Sequence, residues 1–363
     1  MSKIHIALVS REALPVYYII AELRPDKIHL IGTKESDDVM NRIENVLVQQ
    51  GFDCCKHVTQ PYDIKNCMEV CSRIQEQCEG DEVSYNLTCG TKPMAIGAMR
   101  CAQNHGARMF YTDSKTMVDI NSLASSPLSA RIDNETLFTL QGQRLKEWNG
   151  YAFDKARTEC SLSIKEFIED SPQAYECLMK EYMRYRQLPK EYSCGKVDYC
   201  RTANKEINIE YNYVNVFSST YPGAFDLLFK GRWWETLVAD AVNKWSGGKY
   251  EIWTNVRFEP NTEQANKLDK NEIDVLVNLG NTLLFVECKS GAFTQDNIYK
   301  LGSVCQTYGS YKSKGVIIAY RKNAIKKELV EKAHDEKIDI IVANKALSNI
   351  SSELNRICIS LKS

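Results

Sequence analysis

Two acidic residues and a lysine in the last third of the chain form a candidate catalytic group. Glu287 and Lys289 are two positions apart in an apolar run, LFVECK. On a β-strand, side chains two residues apart point to the same face, so these two would share a face. Asp274 lies thirteen residues before Glu287 in a second apolar run, and a tight-turn signal between the runs predicts a hairpin. Asp274 can then reach the same face.

Such a cluster suits a divalent cation. Two carboxylates held together repel each other and raise one pKa, unless a cation lies between them. Mg²⁺ or Mn²⁺ would remove that cost, because both prefer oxygen ligands. The ion would lower the pKa of a bound water and stabilise charge on a phosphate, while Lys289 positions the water and helps to deprotonate it. Phosphodiester hydrolysis is the reaction that these groups fit.

A purely structural role for the same residues is the alternative. Glu287 and Lys289 could form the solvated face of an amphipathic strand, with Asp274 as a cross-strand partner, and such pairs contribute only about 0.2–1 kcal/mol. The combined pattern favours a site, because Asp274 precedes Glu287 across a single turn and a helix bearing Glu235 lies upstream.

The elements around these residues predict an α/β unit. The order is a helix over 231–245, three strands ending at 289, a helix over 297–308 and a strand over 315–320, then a helix over 324–334 and a strand over 338–342. Basic residues that could line a path for a nucleic-acid strand are Arg257, Arg321 and Lys322, for which a solvated surface is the favoured alternative.

The first 110 residues alternate between strand and helix patterns, which predicts a parallel sheet with helices on both faces. Strands are expected at 4–9, 28–32, 83–88 and 107–111, and helices at 37–51, 64–78 and 93–104. Residues 130–140 are expected to form a hairpin at the sheet edge. The segment from 161 to 224, rich in Tyr, Glu and Lys, is predicted to be a partly helical connector.

A candidate anion site lies where this sheet should end. The run NLTCGTK, residues 86–92, brings backbone N–H groups, a hydroxyl and an ammonium to the start of a helix. Residues 9–12 and 32–34 should lie at the same edge, where open α/β sheets bind ligands. Thr88 or Thr91 acting as an ordinary helix N-cap explains the run about as well.

Composition excludes little. A formal net charge of -1 gives no global field for nucleic acid, although a local basic groove would suffice. Many of the 14 cysteines lie in apolar periodic segments and none has CxxC spacing, which favours free thiols in a reduced cytoplasm over a zinc site. No apolar run approaches the roughly 20 residues of a membrane span, so no membrane partner is expected.

Two resemblances make these expectations specific. Asp274 with Glu287-Cys288-Lys289 resembles the PD-(D/E)xK nuclease signature, and GRWWE, ending at Glu235, resembles the GxWxE helix of one subgroup. This implies that Asp274 and Glu287 bind a metal ion together with the backbone carbonyl of Cys288, and that Glu235 is a further ligand. It also implies that Lys289 acts on the attacking water. Ile273 stands where the signature has proline.

The segment LTCGTK resembles the TGGTK segment of CARF domains, with Cys89 in place of the first glycine. The full length then resembles the CARF–nuclease ancillary effectors of type III CRISPR systems. This implies a CARF sensor domain over 1–160, a connector over 161–224 and a nuclease domain over 225–363. It also implies a homodimer that binds one cyclic oligoadenylate, cyclic tetra-adenylate being the expected ring. The candidate ligand residues are Ser10, Arg11, Thr33, Thr91 and Lys92, followed by Asn86 and Tyr111.

The expected function is a metal-dependent endonuclease that the cyclic nucleotide activates, cutting single-stranded DNA and RNA and nicking duplex DNA. One alternative is a binding-only sensor with a degenerate nuclease fold. The intact acidic residues argue against this alternative. The other is a restriction or repair nuclease without nucleotide control, which would leave Thr91 and Lys92 unexplained.

Overall fold

A computed structural model describes residues 1–259, 272–280, 282–309, 313–320, 325 and 327–361. The chain divides into two compact units, residues 1–145 and 146–363. In the described ranges, no helix is both long and apolar enough to cross a bilayer. The α/β fold class expected from the sequence is confirmed in both units.

The first unit alternates strands and helices. Its elements are β1 (Lys3–Leu8), α1 (Leu14–Leu23), β2 (Lys27–Gly32), α2 (Asp37–Gln49), β3 (Asp53–Val58), α3 (Ile64–Gln77), β4 (Glu82–Asn86), α4 (Lys92–Asn104), β5 (Arg108–Thr112), β6 (Thr116–Asp119), β7 (Ala124–Pro127) and α5 (Asn134–Leu140). Side-chain caps begin α3 and α4: Asp63 accepts the backbone N–H of Asn66 at α3, and Thr91 accepts that of Met94 at α4.

One seven-stranded sheet, in the order β3-β2-β1-β4-β5-β6-β7, organises this unit. The five strands from β3 to β5 are parallel, and β6 and β7 extend the edge as an antiparallel hairpin. Parallel neighbours end at the same edge, so the loops that follow β1, β2 and β4 lie side by side there. The candidate anion site predicted from the sequence lies in these loops.

Three local features of the first unit differ from the sequence-based expectation. Strand β3 and helix α1 were not predicted, and the hairpin expected over 130–140 is wrong, because most of that segment is helix α5. Asp133 caps α5 by accepting the backbone N–H of Thr136, which favours helix at this point. The edge hairpin is instead formed by β6 and β7.

The second unit contains two sheets and several helices. Its elements are β8 (Leu145–Gly150), α6 (Lys155–Asp170), α7 (Pro172–Tyr185), β9 (Glu191–Cys194), β10 (Val197–Arg201), β11 (Ile207–Tyr211), β12 (Val214–Ser219), α8 (Ala224–Phe229), α9 (Arg232–Ser246), β13 (Glu251–Phe258), β14 (Glu272–Asn278), β15 (Leu283–Lys289), α10 (Gln295–Tyr308), β16 (Lys314–Ala319), α11 (Lys327–Asp335), β17 (Ile338–Val342) and α12 (Asn349–Ser360).

The larger sheet of this unit has the order β17-β16-β15-β14-β13-β8. Strands β13, β14 and β15 are antiparallel, whereas β15, β16 and β17 are parallel. The predicted hairpin of β14 and β15 is present, with Val275 opposite Val286 and Leu276 opposite Phe285. Apolar side chains cover both of its faces, as expected for strands buried between layers.

The segment predicted as a connector packs into this second unit. Helices α6 and α7 and the small sheet β12-β11-β10-β9 share one apolar core with α9, β14 and β15. Ile164, Leu178 and Ile209 are fully buried in that core. The division into a sensor domain (1–160), a connector (161–224) and a nuclease domain (225–363) stays a prediction.

Cysteine usage is mixed. Cys177 on α7 and Cys194 on β9 form a disulfide, which the expectation of free thiols did not include. Twelve other cysteines are free, and most of them are buried among apolar side chains. They behave there as small hydrophobes, as the sequence indicated.

Candidate active site

The β14–β15 hairpin and helix α9 bring the predicted acidic residues together. Asp274 lies on β14, Glu287 and Lys289 on β15, and Glu235 in the first turn of α9. Since Val275 pairs with Val286, the next position on each strand sets Asp274 opposite Glu287. Successive side chains on a strand alternate between its two faces. Since the two valines face the core, Asp274 and Glu287 both point to the other face.

Asp274 is the most deeply buried acid of the group. The backbone N–H of Cys288 donates to its Oδ2 at 2.6 Å, which fixes the carboxyl against β15. Burial raises the pKa of Asp274 well above its ordinary value, and the charges of Glu287 and Glu235 raise it further. A carboxyl in this setting is poised to gain a cation.

Glu235 enters the site from the start of α9. Gly231 precedes the helix at φ 76°, a left-handed conformation that glycine adopts without strain. Burial raises the pKa of Glu235; the charges of Arg232 and Arg157 oppose that rise, and those of Glu272 and Glu287 add to it. The acids on α9, β14 and β15 therefore act on one another electrostatically.

Lys289 is held against Glu287. Its Nζ lies 2.5 Å from Oε1 of Glu287, and both side chains are largely buried. Burial lowers the pKa of Lys289, but the charge and hydrogen bond of Glu287 outweigh it, so the net pKa is raised. The lysine stays an ammonium at neutral pH. The backbone N–H of Tyr320 donates to the Lys289 carbonyl at 2.9 Å and so anchors the end of β15.

The side chains of this cluster are of the type that a hard divalent cation prefers, because Glu235, Asp274 and Glu287 carry carboxylate oxygens. Each of the three raises the pKa of at least one neighbour. Across the described residues, no three His, Cys, Asp or Glu side chains stand close enough to hold an ion together. Cys288 turns its thiol into the core, where burial raises the thiol pKa well above its ordinary value. Its carbonyl as a ligand stays a prediction.

Glu272 and Arg257 are occupied by ion pairs. Arg257 donates to Glu272 at 2.8 Å and to Glu147 on β8 at 3.3 Å. These contacts link three strands and give Arg257 a structural role. The other basic candidates, Arg321 and Lys322, lie outside the described residues.

An open cleft leads to two of the acids. Glu235 and Asp274 line it together with Arg157, Thr236, Asp240 and Asn255. Asn255 has φ 52°, in the left-handed region, and lies opposite Asp274, since its neighbours Thr254 and Val256 pair with Val275 and Ile273. Backbone strain of this kind is concentrated at functional sites.

One wall of the cleft is a hydrogen-bonded network. Tyr151 donates to Asp240 at 2.8 Å, Thr158 donates to the other Asp240 oxygen at 2.6 Å, and Arg157 Nε donates to Thr236 at 2.9 Å. Sequence analysis missed these residues. One local signal could have indicated them: Asp240 stands among the apolar residues of α9. It is buried there, and a buried carboxylate needs hydrogen-bond partners.

The candidate ligand residues of the first unit lie at or near the carboxyl ends of the parallel strands. Ser10 and Arg11 follow β1, Thr33 follows β2, and Lys92 begins α4. Arg11 and Lys92 are exposed and form no ion pair within the described part of the chain. Tyr111 on β5 is 45% exposed. The edge therefore presents two cationic side chains whose charge is not neutralised.

Other residues of this edge shape the loop. Asn86 is fully buried, donates to the Pro15 carbonyl at 3.2 Å and accepts the Thr88 N–H at 3.0 Å. The Thr91 hydroxyl caps α4 and also donates to the carbonyl of Pro61. Cys89 is buried, and burial raises its thiol pKa to about 11. Cysteine is accommodated where the resembled segment has glycine.

Comparison with known proteins agrees with this architecture. A family model described as "Card1-like, endonuclease domain" matches residues 226–358, and one described as "HFX_2341_N:-like, N-terminal" matches residues 3–117. No functionally curated protein matches the sequence.

Solved structures cover nearly the whole chain. Can2 from Sulfobacillus thermosulfidooxidans, in complex with cyclic tetra-adenylate, is 17% identical with a TM-score of 0.70 and coverage of 98% of each chain. Protein VC1899 from Vibrio cholerae is 15% identical with a TM-score of 0.72, covering 99% of this chain and 98% of that one. A type III CRISPR defence DNA nuclease activated by cyclic oligoadenylate is 19% identical with a TM-score of 0.59. The match covers 88% of this chain but 46% of that nuclease. At these identities the likeness shows a shared fold.

Proposed function

We propose that this chain, which carries a Card1-like endonuclease domain over residues 226–358, is a metal-dependent nuclease switched on by a cyclic oligoadenylate. The observation that carries the proposal is the convergence of Asp274, Glu287 and Lys289 on one face of a single hairpin, beside Glu235. The charges of Glu287 and Glu235 add to the raised pKa of buried Asp274, and a bound divalent cation would offset the cost of that arrangement.

Glu235, Asp274 and Glu287, with the carbonyl of Cys288, are the proposed holders of Mg²⁺ or Mn²⁺. When bound, the ion supplies a lowered water pKa and stabilises charge on the phosphate. Glu287 fixes the Lys289 ammonium 2.5 Å away. Lys289 then orients the attacking water and stabilises negative charge through a donated hydrogen bond. The buried Asp274 carboxyl is held in register by the Cys288 N–H.

The first unit is the proposed sensor. Arg11 and Lys92 would bind phosphate groups of the ring, with Ser10, Thr33, Thr91 and Tyr111 as further contacts, because exposed cations at the carboxyl ends of parallel strands favour an anion. Asn86 would act through the loop that it holds. Two chains related by a two-fold axis would share one symmetric ring, which makes the active form a homodimer. The likeness in fold to Can2, solved with cyclic tetra-adenylate, supports that ring.

The proposed substrates are single-stranded DNA and RNA, with nicking of duplex DNA, in type III CRISPR defence in the cytoplasm. The fold shared with a DNA nuclease activated by cyclic oligoadenylate supports this substrate class. A binding-only sensor and an unregulated nuclease are the two competing functions.

One cleavage assay separates the three. The full chain is mixed with labelled single-stranded DNA or RNA and Mn²⁺, with and without cyclic tetra-adenylate. We expect cutting only with the activator, and a loss of about 100-fold or more in kcat for Glu287→Gln and for Lys289→Ala. Glu353→Gln, on the surface of α12 and paired with Arg356, is the matched control and should keep full activity.

Each competing function has its own result in this assay. Full-rate cutting without activator would remove the switch and leave an unregulated nuclease. Binding of cyclic tetra-adenylate with no cutting would leave a sensor alone. Full turnover in both Glu287→Gln and Lys289→Ala would refute the catalytic assignment.

A further inference from the structure

Arg157 is a cation in the catalytic cleft that the proposed chemistry does not use. It lies in the first turn of α6, on the cleft that Glu235 and Asp274 also line. Its Nε donates to the Thr236 hydroxyl at 2.9 Å, one residue after Glu235. The guanidinium is therefore held at a defined place beside the acids.

Among the described residues, the rest of this guanidinium has no hydrogen-bond or ion-pair partner. Its side chain forms no ion pair and no second hydrogen bond with the residues that the structure describes. Asp154, which also lines the cleft, accepts the backbone N–H of Arg157 as a helix cap. A guanidinium has five N–H donors in a planar fork, so four remain to face the cleft.

The partner of Arg157 is a neutral hydroxyl, although acids lie nearby. Thr236 itself donates to the Arg232 carbonyl at 2.9 Å, so its oxygen is fixed and can accept from Arg157. Arg257, in the same unit, provides a contrast, because two carboxylates already neutralise it. The charges of Arg157 and Glu235 act on each other, but no carboxylate among the described residues forms an ion pair with Arg157, so its remaining N–H groups can bind a ligand.

We propose that Arg157 binds a backbone phosphate of the nucleic-acid strand and so positions the scissile bond over Glu235, Asp274 and Glu287. The inference rests on the proposed nuclease function and adds a substrate contact to it. Planar N–H pairs suit the oxygens of a phosphate, and the cation offsets the repulsion between the phosphate and the acids. Arg157 is a positioning residue, anchored by Thr236.

The test measures binding and its salt dependence. Glu287→Gln serves as the background, and the probe is a labelled oligothymidylate, titrated at several salt concentrations with cyclic tetra-adenylate and Mn²⁺ present. Adding Arg157→Gln should weaken binding on the order of tenfold at low salt. The slope of log K against log salt should become shallower by about 0.7, the value for one lost phosphate contact on a single strand.

Two further variants control for charge and folding. Lys155→Gln removes a positive charge from the same helix, but Lys155 is exposed and paired with Glu159, so its slope should match the background. Arg157→Lys keeps the charge and should keep the slope while binding less tightly. The same slope loss in Arg157→Lys would indicate a folding role and overturn the proposal.

The remaining outcomes are distinguishable. If wild type cuts the strand and Arg157→Gln has the slope of the background, the phosphate contact is refuted and the nuclease function stands. If wild type neither binds nor cuts any strand, the proposed function fails and this inference falls with it.

Discussion

At the scale of single residues, the second unit maintains a costly cluster of acids. Asp274 is buried with its carboxyl beside Glu287 and Glu235, and burial and like charge both raise its pKa. The Cys288 N–H and the Lys289 ammonium offset part of that cost. Structural stability alone does not explain the arrangement, since apolar residues at these positions would pack without the penalty.

A buried histidine gives the first unit a pH dependence of its own. His5 on β1 is fully buried, and its Nδ1 lies 2.9 Å from the Ser84 hydroxyl. Burial lowers its pKa from 6.5 to about 3. The folded protein therefore keeps the ring neutral where the unfolded chain takes up a proton, so stability falls as pH drops from 6.5 toward 3.

We expect the free energy of unfolding to fall by about 2 kcal/mol between pH 7 and pH 5 because of His5 alone, since one pKa unit is worth about 1.4 kcal/mol. Urea unfolding of wild type and His5→Asn at both pH values measures this. Asparagine can bond Ser84 but does not titrate, so the variant should lose less stability on acidification. Equal losses in the two proteins would contradict the prediction.

At the scale of elements, the contact between α3 and α4 depends on one glycine. Gly97 lies inside α4, where alanine has the better helix propensity by about 1 kcal/mol. A Cβ at Gly97 would lie 2.6 Å from the backbone carbonyl oxygen of Ile64, at the start of α3. A backbone atom cannot move aside as a side chain can, so packing outweighs propensity here.

We predict that Gly97→Ala destabilises the protein by about 1–3 kcal/mol. Gly302→Ala is the matched change in α10, where a Cβ would meet the flexible Glu336 carboxylate at an ordinary 3.4 Å. That variant should gain up to about 1 kcal/mol from helix propensity. Denaturant unfolding of both checks the signs, and a stabilised Gly97→Ala would disprove the close approach of the helices.

The elements that sequence analysis missed have weak or ambiguous patterns. Helix α1, LPVYYIIAEL, is buried over most of its length and so lacks the polar face that marks an amphipathic helix. Strand β3, DCCKHV, is an edge strand whose side chains are half-buried or exposed. Each is defined by how it packs in the fold more than by its own residues.

At the scale of the whole molecule, the two units carry separate cores and separate proposed ligands. The first packs α3 and α4 against β1 and β4, and the second packs α6 and α9 against β14 and β15. Ligand binding stabilises the unit that holds the site, by about 2.7 kcal/mol at a ligand concentration 100 times Kd.

We therefore expect calorimetry to resolve two unfolding transitions. Mn²⁺ should raise the midpoint of one, and cyclic tetra-adenylate the midpoint of the other. Asp274→Asn, which can still accept the Cys288 N–H, should lose the Mn²⁺ effect and keep the nucleotide effect. Unchanged midpoints with Mn²⁺ in wild type would argue against a metal site in the second unit.

The sequence by itself was sufficient for features set by local interactions. Strand parity predicted that Glu287 and Lys289 share a face, and a single turn predicted the hairpin that adds Asp274, because alternation and turn geometry act over a few residues. The α/β class followed from the same periodicities.

The surroundings of the acids depend on contacts between residues that are far apart in the chain. Arg157 and Thr236 are 79 residues apart and meet because α6 packs on α9. The pairing of Arg257 with Glu147, 110 residues away, likewise separates a structural arginine from one that faces the cleft. Such contacts depend on how distant helices and strands pack, and no local pattern of residue types encodes that choice.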